Sequence, residues 1–124
     1  MARILLVEDD VNVRPLMRHI IQGAGHQLTT LETLANAIIL LDRQPFDLVV
    51  TDVNLPDGSG LRIADKAQEQ GVRALVITGY GLSLKPGTLD RYDHLLKPVR
   101  ADELLDAIRQ RLPRADGHVV PLPM

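Results

Sequence analysis

The chain has 124 residues and 13.7 kDa, the length of one domain, and 45% hydrophobic with 24% charged residues reads as an ordinary globular protein. Lys plus Arg is 14 against 16 Asp plus Glu, a net charge of −2, so no strongly basic nucleic-acid surface is available; with no cysteine, disulfide scaffolds, thiolate zinc sites and Cys nucleophiles are excluded. No apolar run approaches the ~18 residues of a membrane span, Met1 to Val7 leads into a strand without a signal-peptide pattern, and the three aromatics offer no base-stacking platform. The expectation is a soluble cytoplasmic protein that contacts neither membrane nor nucleic acid directly.

In chain order, Arg3-Ile4-Leu5-Leu6-Val7 is an apolar run that stops at Glu8-Asp9-Asp10. Continuous runs of this kind suit strands covered on both faces, as in parallel sheets. Val13, Leu16, Met17 and Ile20 then follow helical spacing, with Gly23 expected to end the helix. Gln27 to Leu31 reads as a weaker edge strand, and Leu34 to Leu41 as a helix with Thr33 at its N-cap. Ile38-Ile39-Leu40-Leu41 cannot all face one core, so one or two are expected exposed. Asp47 to Thr51 is the next buried strand and ends at Asp52. Asp57-Gly58-Ser59-Gly60 has the glycines of a phosphate-cradling loop, but reads better as a turn with Asp57 or Ser59 capping the helix marked by Leu61, Ala64 and Ala67, which Gly71 stops. Arg73 to Ile77 is a strand ending at Thr78. Gly79, Gly81, Pro86 and Gly87 make a regular helix improbable before Tyr92, and Thr88 to Tyr92 suits one short turn. Asp93 to Leu96 is a strand ending at Lys97-Pro98. Leu104, Leu105, Ile108 and Leu112 mark the last helix, with Asp102 and Glu103 in its first turn and Arg109 and Arg111 in its last, as the helix dipole favours. Residues 1–113 form the domain, and 114–124 a short tail read as extended or mobile.

Strands alternating with helices imply right-handed βαβ units. The fold expected is α/β: a doubly wound five-stranded parallel sheet, order 2-1-3-4-5, with helices on both faces and ligands at the carboxyl ends of the strands. Those ends carry Glu8, Asp9 and Asp10, then Asp52, Thr78 and Lys97. Neighbouring first and third strands would gather three or more carboxylates, a cluster that repels itself unless a cation neutralises it. Oxygen donors alone suit Mg²⁺ better than Zn²⁺. A carboxylate nucleophile, a metal, a lysine and a hydroxyl are the parts of in-line phosphoryl transfer. Asp10 reads equally well as a cluster member or as a helix N-cap.

Over about residues 3–112 the sequence resembles the receiver domain of two-component response regulators. The resemblance rests on Ile4 to Asp10, on Asp47 to Gly60, on Ile77-Thr78-Gly79 and on Leu96-Lys97-Pro98, four motifs in the right order at the right strand ends. It implies Asp52 as phospho-acceptor, Asp9 as direct and Glu8 as water-mediated Mg²⁺ ligand, and the Asn54 backbone carbonyl as third protein ligand. It further implies Thr78 as the switch hydroxyl, Lys97 as the phosphate-binding lysine, and a cis bond before Pro98. His94 stands where the family usually has a switching Tyr or Phe, which leaves an altered or pH-sensitive switch, or a partly exposed histidine at a tolerant position. The stretch from Thr78 to Lys97 is short for the family, so its fourth helix is expected to be shortened or irregular. Asn54 and Tyr80 fall at two variable positions that tune phosphoryl lifetime. Lys85 reads as surface charge.

The resemblance implies a phosphoryl-accepting switch that catalyses only its own phosphorylation and dephosphorylation and is not otherwise an enzyme. Its partners would be a histidine kinase or histidine phosphotransferase, docking along the first helix near Arg14, Pro15 and Arg18, and an unknown downstream protein; it would be a monomer or a phosphorylation-dependent dimer. Alternatively the chain is a receiver cut from a longer hybrid kinase or transcription regulator, although Met1 just before the first strand suits a natural start. A Mg²⁺-dependent aspartyl phosphatase needs an acid two residues after the nucleophile, where Asn54 stands. A flavin module would need a Ser/Thr-rich phosphate loop where the three acids are.

Overall fold

Alternate residues of each apolar run face opposite sides, which divides the core in two. The computed structural model describes residues 2–79 and 87–112. Ile4, Leu6, Leu48, Val50, Leu75 and Ile77 pack on one face of the sheet with Met17, Ile21, Leu104 and Ile108. Leu5, Val7, Val49, Ala74 and Val76 pack on the other with Leu34, Ala37, Leu41, Ile63, Ala64 and Ala67. The strands therefore read as continuous apolar sequence because both faces are covered.

The elements are β1 (Arg3–Val7), α1 (Val13–Gly23), β2 (Gln27–Leu31), α2 (Leu34–Arg43), β3 (Leu48–Asp52), a small hairpin of β4 (Asn54–Leu55) and β5 (Gly58–Ser59), α3 (Leu61–Glu69), β6 (Arg73–Thr78), β7 (His94–Leu96) and α4 (Ala101–Arg111). The main sheet is parallel with order β2-β1-β3-β6-β7, the doubly wound arrangement expected, with α1 and α4 on one face and α2 and α3 on the other. Register aligns the strand ends. Val7 lies beside Thr51, Asp52 beside Ile77, and Thr78 beside Leu96. Glu8, Asp52 and Lys97 therefore emerge at one level of one edge.

Several local expectations shift. Gly23 is the last residue of α1, and Gly25, at φ +92°, makes the left-handed turn beyond it, a conformation glycine adopts without steric cost. Gly71 plays that part after α3, at φ +76°. Leu16 does not join the buried stripe of α1; it is 58% exposed, and Met17 and Ile21 carry the helix onto the sheet. Thr33 caps α2 by accepting from the Asn36 N–H at 3.3 Å, and Ile39 is the exposed member of the four-residue apolar run. Residues 54–59 are the β4–β5 hairpin rather than a simple turn. Ser59 accepts from the Leu61 N–H at the start of α3, whereas Asp57 serves α2, accepting from the N–H groups of Leu34 and Ala35 at 2.8 and 2.9 Å.

Between Gly87 and Tyr92 the backbone turns, with Asp90 N–H bonded to Gly87 O and Tyr92 N–H to Leu89 O. No helix lies in this interval among the described residues. Tyr92 is buried against the α3 side of the core, and its hydroxyl donates to Asp65 at 2.6 Å while accepting from Arg91. Tyr80, Lys85 and the tail 114–124 lie outside the described residues. No helix among the described residues is long and apolar enough to cross a membrane.

Candidate functional site

At the carboxyl edge Lys97 is the centre of the site. Its Nζ donates to Glu8 Oε1 at 2.9 Å and to Asp52 Oδ2 at 2.8 Å. β7 delivers it: the Lys97 N–H bonds to Thr78 O at 2.7 Å, so the lysine starts where the β6–β7 ladder stops. The Lys97–Pro98 peptide is cis.

Asp52 ends β3. Its Oδ1 accepts from the Asn54 N–H at 3.2 Å, which leaves Oδ2 for the lysine. The turn that follows is tightly fitted: Val53 N–H bonds to Ile77 O, Gly60 N–H returns to Val53 O, and Thr51 Oγ1 donates to Asp52 O. A Cβ on Gly60 would collide with Asp52 O and Thr51 Oγ1, so backbone meets backbone there and only glycine fits.

Glu8 is 1% exposed, and its Oε2 is buried without a hydrogen-bond partner. An unpaired buried carboxylate oxygen is costly. Burial, then the adjacent Asp52 carboxylate, push the Glu8 carboxyl up to about 7, against the opposing pull of Lys97. Burial works to lower the Lys97 ammonium, but its hydrogen bonds to Asp52 and Glu8 outweigh this and hold it above its ordinary value. Asp9 is exposed at the mouth of the site. Oxygens of Glu8, Asp9 and Asp52 lie within 4.8 Å of one another. An oxygen-only set with one orphaned buried acceptor fits a hard divalent cation.

Asp10 does not join the cluster. Its Oδ1 accepts from the Asn12 and Val13 N–H groups at 2.8 and 3.2 Å, which caps α1 and holds its carboxyl below the usual range. Thr78 ends β6 and is buried. His94 lies three residues before Lys97, exposed, with Nδ1 3.1 Å from Tyr92 O, so it is not part of the acidic cluster. Sequence reasoning gave Arg14 only a docking role, yet its Nη1 donates to the Glu8 backbone O at 3.2 Å. Its place in the first turn of the helix after the acids was the available signal.

A family model for the response regulator receiver domain matches residues 4–109. The chain belongs to this family. The response regulator receiver protein CpdR of Brucella abortus is 32% identical over 117 residues, covering 90% of this chain and 98% of that protein. The response regulator protein FleR of Pseudomonas aeruginosa is 31% identical over 115 residues, which is 86% of this chain but 24% of FleR. Among solved structures, TrrA of Thermotoga maritima in complex with Mg²⁺–BeF has a TM-score of 0.80 and 26% identity, covering 90% of this chain and 100% of that one. TrrA in complex with the histidine kinase ThkA has a TM-score of 0.78 and 27% identity, covering 90% and 99%. The chain is thus a receiver domain of two-component signalling.

Proposed function

We propose that this receiver takes a phosphoryl group onto Asp52 from the phosphohistidine of a histidine kinase or histidine phosphotransferase, with Mg²⁺, and thereby switches its protein contacts. The observation that carries the reading is the double bridge from Lys97 to Glu8 and Asp52, beside a third acid, at one edge of a parallel sheet. Asp9, Asp52 and the Asn54 carbonyl would hold the ion, with Glu8 acting through water. When bound, Mg²⁺ supplies positive charge against the phosphoryl oxygens. An Asp52 oxygen attacks phosphorus, the P–N bond breaks, and its electron pair leaves on the imidazole. Asp52 then holds the group as an acyl phosphate. Lys97 leaves the carboxylates for a phosphoryl oxygen, a role suited to a mobile point charge. Thr78, at the end of β6, is the switch hydroxyl, and His94 the companion switch position. Hydrolysis returns the carboxylate, so the chain catalyses only its own phosphorylation and dephosphorylation, and no metabolite is turned over. Within this reading the chain works in the cytoplasm.

An apolar groove of about 400 Å³ lies between α1 and the segment after β7, lined by Val13, Leu16, Met17, Ile77, Lys97, Pro98 and Val99. The exposed Leu16, and Lys97 in the lining, support this groove as the place for the donor's helix. The ThkA–TrrA complex supports a histidine kinase as donor. A second reading, a receiver that is one part of a longer regulator, is favoured by the likeness to a quarter of FleR.

The test is intact-mass analysis after incubation with Mg²⁺ and acetyl phosphate. One added phosphoryl group, lost in Asp52→Asn and in EDTA, is the expected result. Failure both to gain the group and to bind Mg²⁺ with beryllofluoride would overturn the reading.

A further inference from the structure

Resting on the Mg²⁺ reading of the acidic cluster, we propose that Arg14, held in turn by Glu32, is a positioning residue for the metal ligands, acting through the peptide that joins Glu8 to Asp9. Both backbone groups of Glu8 are fastened. Its N–H donates to Leu31 O at 3.0 Å, within the line of the β1–β2 ladder. Its carbonyl, the oxygen of the Glu8–Asp9 peptide, accepts from Arg14 Nη1 at 3.2 Å. That bond fixes the plane of the peptide from which Asp9 projects, just where the ladder no longer dictates backbone direction. Asp9 is the exposed member of the acidic group, so it has the most freedom to lose.

Arg14 is itself placed from two sides. Its own N–H bonds to Asp10 O at 2.9 Å, which sets it in the first turn of α1. The same Nη1 pairs with Glu32 Oε1 at 3.0 Å, and the Arg14 side chain is only 18% exposed against 61% for Glu32. Glu32 follows β2, so the pair ties the first turn of α1 to the β2–α2 loop. Arg18, one turn on, repeats the tie one step earlier by donating to Thr30 Oγ1 at 2.8 Å.

Charge and position predict opposite signs here. Arg14 is a cation near a cation site, so by charge alone its removal tightens Mg²⁺ binding. If it positions Asp9, removal weakens binding, as loss of groups that orient metal ligands generally does. The experiment is calorimetric titration with Mg²⁺ at constant ionic strength on the whole chain, comparing the unaltered protein with Arg14→Met, Arg14→Lys, Glu32→Gln and Arg14→Met combined with Glu32→Gln. Urea midpoints and amide shifts remote from residues 8–14 serve as folding controls. Arg14→Met is expected to raise the dissociation constant about tenfold, the low end for such groups. Arg14→Lys, which keeps a cationic donor on a shorter stem, is expected to restore part of the affinity. Glu32→Gln weakens binding by a smaller factor and adds nothing in the Arg14→Met background, because it acts only through Arg14. Equal or tighter Mg²⁺ binding by a folded Arg14→Met overturns the proposal, and an additive loss in the double variant overturns the linked pair. Absence of Mg²⁺ binding by the unaltered chain overturns the metal reading itself and this inference with it.

Discussion

Glu8→Gln isolates what the buried carboxyl costs the metal-free fold. In the unfolded chain Glu8 titrates near 4.5, and in the fold near 7, because burial and the neighbouring Asp52 disfavour its charge. Below about pH 4.5 it is protonated in both states and costs nothing. Between 4.5 and 7 the folded state holds a proton that the unfolded state has released, so stability falls as pH rises, and the loss is complete above about 7. At 1.36 kcal/mol per pH unit, that window corresponds to a ceiling of about 3 kcal/mol. Glutamine keeps the shape and can keep the acceptor for Lys97, but has no charge to bury. Urea unfolding in EDTA at pH 5.5 and pH 8 is the assay. The stability of Glu8→Gln relative to the unaltered protein should rise by roughly 2 kcal/mol from the lower pH to the higher, since most of the window lies between them. Millimolar Mg²⁺ should then restore much of the unaltered protein's deficit at pH 8 and do less for the variant. Parallel pH profiles for the two proteins in EDTA would refute the reasoning, because they would mean that Glu8 carries no extra cost when ionised.

Gly60→Ala should lower stability by about 3 kcal/mol or more in urea unfolding, since its Cβ would strike the Asp52 carbonyl, which belongs to rigid backbone. Asp57→Ala should speed amide exchange at Leu34 and Ala35 roughly fivefold, the effect of a lost cap. The two N–H groups that bond to Asp57 hold its carboxyl below the usual range, so the protection is present at neutral pH and is lost only as pH falls through that lowered value. Tyr92→Phe keeps the core volume but removes the hydroxyl shared with Asp65 and Arg91, for an expected loss of about 1 kcal/mol in urea unfolding.

The parallel sheet was readable because strands buried on both faces show as unbroken apolar runs, and the acids stood out because each broke such a run at its end. Asp9, Asp52 and Lys97 needed no contact information beyond strand order. The misreadings share a different cause. Of the two candidate caps for α3, Ser59 takes that place, whereas Asp57 caps α2, which begins 23 residues earlier; a side chain that serves an element brought near only by folding leaves no local trace. Leu16 fits the helical period of α1, yet period alone cannot say where the sheet ends beneath the helix. Arg14 is one arginine among many by sequence, and becomes specific only when the Glu8 carbonyl and Glu32 arrive beside it. The acid–lysine chemistry was local enough to read; the supports that orient it were not.

The charge balance of the site explains why these parts occur together. Glu8, Asp9 and Asp52 place three carboxylates against one lysine, with Glu8 almost wholly removed from water. Without a cation, a proton on Glu8 is the cheapest relief, which is the physical content of its rise to about 7. A divalent cation would meet the same need without a proton on Glu8. A bound phosphoryl group would then bring the negative charge back, at a point beyond Asp52 that only a long, mobile cation can follow. Lys97 is such a group, and without a phosphoryl group it bonds to Asp52 and Glu8. An arginine there would hold a carboxylate in a planar fork and release it less readily. The lysine thus fits a site whose negative charge would move outward if Asp52 took up a phosphoryl group.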